Sequence, residues 1–456
     1  MKRTIRKLSL ILVLISMVVL FTACGDKTKE GDLKKVRLWC QPFTEVETRT
    51  WLQQRVDEFN QTDKALSNGF EIELTFVAED AWEQTLKAAQ SSGTAPEITV
   101  LNYAEVALNS IEGYYTPLDE YMSKSCFDDL LDNVEAMTNV NGNHFIYPWF
   151  VEPDVILFYR KSAFRNAGLD PEVGPKSWSE TYEYAKRLNG KSNSSRDNQY
   201  GIAMPNSSQL GWVLWGFQAQ DKNSLGYYML DENWSRAAVN TKFHTDLFTF
   251  FKNVYDDKLT PQVALTSYNE ITPLAQGYVA MAFGGSWSIG QIKNNYPEVL
   301  DDIGYVVCPT IDGQNEGVTT TALGGWGMAI DGAAKHPKEC GIFLEWLLGG
   351  DPNILTDFMK KLGYSKFAAR KSVEEALSKI DEAQNDPFYR FVSANILPYA
   401  KAEPTYIWEI SRKYADALEK VTQLKAEVTP TLRQLETDLN NLIEAEEMAG
   451  TNPFKK

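Results

Sequence analysis

Between Lys34 and Asn102 the hydrophobic period switches repeatedly between two and 3.6 residues, and that alternation limits the fold more than any other feature. VRLWCQPF (Val36–Phe43) reads as a short strand. From Thr44 to about Asn60, Val46, Trp51, Leu52, Val56 and Phe59 recur at helical spacing. FEIELTFV (Phe70–Val77) sets Ile72, Leu74 and Phe76 against Glu71, Glu73 and Thr75, which predicts a second strand with one wet face. A helix follows from Asp80 to Gln90 and stops at Ser91-Ser92-Gly93; EITVLN (Glu97–Asn102) then reads as a buried third strand. Strand, helix, strand, helix, strand is the pattern of an α/β chain with a parallel sheet. Ligands on such sheets lie beyond the carboxyl ends of the strands.

The rest of the chain extends the pattern. Residues 104–138 read as helical, Asn141-Gly142 as a turn, and IYPWFVEPDVILFYRK opens a second unit. Ser177 or Ser179 can cap TYEYAKRL. Helices are expected at Thr241–Asp257, Asn269–Gly277 and Pro337–Leu348, and strands at Ala280–Phe283 and in WGMAI after Gly324-Gly325. The tail is helical from about Tyr406, is interrupted at Pro430, and resumes with Leu432, Leu435, Leu439, Leu442 and Ile443 on one face.

The amino end is a leader. Lys2, Arg3, Arg6 and Lys7 precede an apolar run from Leu8 to Phe21, then Thr22-Ala23-Cys24. This is the layout of a secretory signal over 1–23, and the run is short of the roughly 20 apolar residues a membrane span needs. A small residue before Cys24 resembles the junction of bacterial lipoproteins, where the thiol is acylated. Residues 24–32 (CGDKTKEGD) are then a polar tether from the membrane.

The formal net charge is −16, and the leader contributes only basic residues, so the exported part is more acidic still. That argues against nucleic acid and anionic lipid as partners. Cys40, Cys126, Cys308 and Cys340 lie in ordinary or apolar contexts without CxxC spacing and read as buried thiols. His144, His244 and His336 are too scattered for a histidine metal site. No phosphate-binding loop, dinucleotide fingerprint or HExxH is present, and GGSWS (Gly284–Ser288) lacks the final glycine of a nucleophile elbow. No cofactor and no metal is expected.

Several segments, in order, resemble the carbohydrate-type extracellular solute-binding proteins of ABC importers, the family that contains maltose-binding protein. They are SSGTAPEITVLN (Ser91–Asn102, with Glu97 where the family has Asp), GYYTPLDEYM (Gly113–Met122), and Tyr147-Pro148 followed by LFYRKSAFRNAGLD, with Arg160 where Asn is common. Trp178, AQGYVAMAFGGSW (Ala275–Trp287), GGWGMAI (Gly324–Ile330) with ECGIFLEWLL after it, and YSKFAARKSV (Tyr364–Val373) continue the series. The resemblance implies a two-lobed α/β fold of the periplasmic-binding-protein type II, hinged around a ligand cleft. Its motif order places one lobe at 33–145 plus 317–372 and the other at 146–316 plus 373–456. It further implies a monomer that takes a carbohydrate ligand to ABC importer permeases and performs no catalysis. The alternatives are a secreted carbohydrate-active hydrolase, which needs two flanking carboxylates, and a binding protein for a solute other than sugar.

A sugar offers apolar C–H faces and a rim of hydroxyls, so its site needs flat aromatics and paired polar groups. Trp287, after the Gly284-Gly285 turn, is the leading candidate, and Trp326 between Gly325 and Gly327 is equally a core or a site residue. Trp149, Glu152 and Asp154 lie on a crossover between lobes; Asp154 could equally be a solvated charge. Trp212 and Trp215 are spaced as site aromatics or as one buried helix face. Gln41, Phe43, Glu79, Asp80, Trp82, Asn102 and Tyr103 follow the first three strands. Arg370 and Trp408 are candidates by family position alone.

Overall fold

The computed structural model describes residues 33–455 except 42, 44, 79–80, 191–199, 206–210, 223–225 and 264–270. Cys24, the leader and tether, Glu79, Asp80 and the whole polar stretch 191–198, which reads as a loop in the sequence, therefore lie outside the described residues.

The strands are β1 (Lys34–Cys40), β2 (Phe70–Phe76), β3 (Ile98–Asn102), β4 (Asn139–Val140), β5 (Asn143–His144), β6 (Tyr147–Pro153), β7 (Ile156–Arg160), β8 (Gly226–Tyr227), β9 (Leu230–Asp231), β10 (Met281–Gly284), β11 (Ile303–Val307), β12 (Ala322–Ile330) and β13 (Lys401–Ala402). Two sheets carry the architecture. In the larger, β1 pairs in parallel with β2 and β3, as the period switching predicts. The long β12 runs antiparallel beside β3 on one edge and β6 on the other. Trp326 pairs with both Asn102 and Phe150, while Leu323 pairs with both Pro153 and Ala402. So β3 and β13 share one edge of β12, end to end. The smaller sheet is antiparallel, in the order β10-β7-β11.

β6, which the sequence reading put with the second unit, is hydrogen-bonded into the larger sheet through β12. The chain leaves that sheet only at Asp154 and Val155, because Ile156 already pairs with Gly284 and Val307 of the smaller one. The buried apolar residues form two clusters, and the smaller sheet contributes to both: Ile156, Phe158 and Ala282 to the one that holds the larger sheet, Leu157, Tyr159 and Phe283 to the other. Val36, Leu38, Trp51, Phe59, Phe70 and Phe358 lie in the first; Leu157, Trp178, Phe217, Phe251 and Leu439 lie in the second.

Local chemistry sets most boundaries. Ser177 accepts from the Glu180 amide and starts the helix Trp178–Leu188, and Thr241 does the same through His244 for Lys242–Asp256. Asn141 and Gly142 turn the β4-β5 hairpin with φ of 55° and 85°. The 104–138 stretch is not continuous: Tyr103–Ile111 ends before Gly113 (φ 83°), and only short helices follow Pro117. Pro430 does not interrupt the tail. The break is at residues 423–427, where Lys425 has φ 60°, and Pro430 sits in the first turn of Val428–Ala445, where its missing N–H has no partner to lose. Leu432, Leu435, Leu439 and Ile443 are buried as expected, with Leu442 at the edge.

The two family departures have structural work. Glu97 accepts from the amides of Lys335 and His336 and meets the His336 ring at 2.7 Å. Arg160 pairs with Asp302 at 2.6 Å and donates to the carbonyl of Ala275. The four described cysteines are buried free thiols. Among the described residues no helix is long and apolar enough to cross a membrane.

Candidate functional site

The carboxyl ends of β1, β3 and β6 and the start of β12 lie at one edge of the larger sheet, next to the crossing into the smaller one. Asn102, the last residue of β3, accepts from the Ala104 amide and so starts the helix Tyr103–Ile111. The Tyr103 hydroxyl donates to the Phe150 carbonyl at 2.7 Å, which holds its ring against Gly325. A Cβ at Gly325 would lie 2.4 Å from that ring, and one at Gly324 2.2 Å from the Glu403 carboxyl. The two glycines thus admit Glu403 and Tyr103 where β13 and β3 meet on the edge of β12.

Trp326 donates its Nε1–H to Glu152 at 3.1 Å. The other Glu152 oxygen receives Lys366 at 2.5 Å, and Lys366 also reaches Glu45 at 3.0 Å. Lys366 is only 1% exposed. Burial by itself would lower its pKa, but the two carboxylates reverse the shift and keep it charged. Its ammonium lies 5.1 Å over the Phe150 ring and 5.6 Å over that of Trp287.

Around this buried chain of charges stand aromatic faces. Trp287 begins the helix Trp287–Asn295; Gly285 leaves room for its ring, which a Cβ there would strike. Trp212 lies 5.2 Å from Trp287, and Phe43 lies 4.9 Å from Trp326, edge on. All four are half-buried. A little further along, Asp154 and Glu403 are 2% and 8% exposed, with their carboxyls within hydrogen-bonding reach of each other and Glu403 also bonded to Asn102. Burial, and then the neighbouring carboxylate, raises Asp154 well above the carboxylate range; burial first of all pushes Glu403 up to about 7.

The structure therefore gathers Phe43, Asn102, Tyr103, Glu152, Asp154, Trp212, Trp287 and Trp326, with half-buried Gln41 following β1. It separates others. Trp149 is fully buried and stacks on Trp51 at 5.5 Å; it is the unpaired residue at the irregularity between β6 and β12, and its ring packs on Phe358 in the first cluster. Arg370 is not at the cleft: it binds Asp129 and donates to the carbonyls of Leu348 and Gly350. Trp82 is buried among the first core's residues. Trp215 is buried and donates to Ser411, edge on to Trp408, which is 40% exposed. The sequence reading missed Glu45, Lys366 and Glu403. A lone lysine flanked by Ser365 and Phe367 was the one available signal for Lys366; Glu403 follows a two-residue strand and had none.

Two sheets joined by crossing strands, with half-buried aromatic rings and buried carboxyls gathered at the junction, make the arrangement of a binding protein. The profile of the bacterial extracellular solute-binding proteins matches residues 44–351. The chain belongs to that family. A maltotriose-binding protein of Pyrococcus abyssi is 23% identical over 325 residues, 70% of this chain and 63% of that protein, so the match stops short of two thirds of the relative's length. Among solved structures, an ABC transporter solute-binding protein of Thermotoga lettingae bound with α-D-tagatose superposes with TM-score 0.74 at 18% identity, covering 90% of this chain and 100% of that one. UgpB of Mycobacterium tuberculosis with glycerophosphocholine gives 0.73 at 18%, covering 91% and 99%. The fold of this solute-binding protein is thus the two-lobed, type II α/β fold with a cleft between hinged lobes, and its family comprises binding proteins.

Proposed function

We propose that the chain captures a sugar or oligosaccharide between its lobes and delivers it unaltered to the permease of an ABC importer, held at the membrane by acylated Cys24. The observation that carries this reading is the set of half-buried rings, Phe43, Trp212, Trp287 and Trp326, around buried Glu152, Asp154 and Glu403 and half-buried Asn102. Rings can stack on sugar faces and the carboxyl and amide groups can take the hydroxyl rim. Among the described residues the buried cation at this site, Lys366, is already shared by two carboxylates, which favours hydroxyls over a phosphate as the ligand's polar groups. The hydrolase alternative has less support: Asp154 and Glu403 touch, whereas glycosidase carboxyls stand about 5 Å or more apart.

The lobe division is proposed along the motif order, 33–145 plus 317–372 against 146–316 plus 373–456, with β6 and β13 assigned to the first lobe because they pair with β12. Ligand would favour the closed form by binding it better than the open one.

A thermal-shift screen against maltotriose, D-tagatose and sn-glycerol 3-phosphate tests the ligand class, because a ligand of the native state raises the melting point by mass action. Stabilisation by the phosphate alone would refute the carbohydrate reading. With a stabilising sugar in hand, Trp287→Ala is expected to weaken binding by ~1–3 kcal/mol in titration calorimetry. Unchanged affinity would remove Trp287 from the site.

A further inference from the structure

The connection between the sheets carries a feature that ligand stacking does not explain. Asp154 is one of two residues linking β6 in the larger sheet to β7 in the smaller, and Glu403 directly follows β13 as the chain leaves the larger sheet towards the helix Trp408–Thr422. Both backbones are fastened to β12 or the residue before it: Asp154 N–H donates to Ala322 at 3.1 Å, Val155 N–H to the Thr321 hydroxyl at 2.9 Å, and Glu403 N–H to Leu323 at 3.2 Å. The two carboxyls meet inside this junction, against Gly324. As carboxylates, neither Asp154 Oδ2 nor Glu403 Oε2 finds a donor, and among the described residues neither side chain is in an ion pair. One proton between them supplies the missing donor.

We propose that Asp154 and Glu403 share a proton that clasps two of the strands crossing between the lobes, so that deprotonation loosens the hinge and ties closure of the cleft to external pH. This rests on the reading of the interlobe cleft as the binding site. Among the described residues the groups facing the pair leave no cation to replace the proton. Glu152 on β6 and Glu105 on the helix Tyr103–Ile111 add negative charge, and Tyr103 is neutral, held well above its ordinary range by burial. Lys366 is engaged by Glu152 and Glu45, and Lys401 on β13 lies over the Tyr228 ring, 4.4 Å from its centre. Burial favours the protonated pair, and its loss sets two negative charges against each other in a region of low polarity.

The sign follows. A carboxyl whose pKa rises on folding stabilises the native arrangement below its ordinary value of 4.5 and loses that contribution as pH rises through about 7. Hydrogen exchange of the ligand-free chain, read by mass spectrometry in peptides covering 150–157 and 400–406 and corrected for intrinsic rates, should show protection falling across that window. In Glu403→Gln, whose amide donates without a proton to lose, protection should stay level. A profile parallel to wild type would overturn the clasp. Infrared spectra supply a second reading: a protonated-carboxyl band present near pH 7 in the wild type should weaken in Glu403→Gln, Glu105 accounting for what remains, and no band in the wild type or an unchanged band in the variant would also overturn the proposal. Because neither measurement uses a ligand, failure of the sugar screen leaves this result standing, and parallel exchange profiles leave the carbohydrate reading standing.

Discussion

Two buried acidic groupings lie at the same sheet edge and solve the same problem differently. Glu45 and Glu152 are bridged by a lysine, whereas Asp154 and Glu403 meet with no ion pair among the described residues. A buried carboxylate needs a counter-charge, a set of donors, or a proton. The first grouping has a fixed ammonium between its carboxyl groups; the second must bind and release a proton, and so reports on the medium. The comparison shows that the number of carboxylates at a site says less than what neutralises each of them.

Removing the cation should break the contrast most severely. Lys366→Met leaves Glu45 and Glu152 facing each other without compensation, and a loss of about 3–5 kcal/mol in urea unfolding is expected. That loss should shrink in acid, where one carboxylate can take a proton as Glu403 does; a deficit independent of pH would mean the lysine acts by packing alone. Gly324→Ala tests the second grouping, since the new Cβ would overlap the Glu403 carboxyl, and should cost about 2 kcal/mol. A neutral result would show that Glu403 is free to leave the junction. Trp326→Phe keeps the ring but deletes the donor to Glu152, for which about 1.5 kcal/mol is expected in the same assay, with the Lys366 ion pair intact.

The strands and most helix ends were legible because each depends on local pattern. Alternation in Phe70–Phe76 and the caps at Ser177 and Thr241 belong to a few adjacent residues. The acidic groupings depend on residues hundreds apart in the chain, brought together by β12 and β13. Glycines beside Trp326 correctly signalled close approach, yet what approaches Gly325 is the Tyr103 ring and the Phe150 carbonyl. Trp149 and Trp326 could not be told apart by composition: Trp149 is fully buried at the irregularity between β6 and β12, whereas Trp326 is half-buried, and that irregularity has no local sequence signal. The tail break eluded the reading because a proline in a first helical turn marks a start as readily as a stop.

The passage from β6 to β7 through Asp154 and Val155 has a mechanical consequence. A pair of residues anchored on both sides by ladder hydrogen bonds cannot act as a slack leash; it can only twist or flex about the few backbone torsions it owns. The jaws of this molecule are thereby kept aligned through every excursion, and whatever the cleft holds meets the same opposing wall each time they shut.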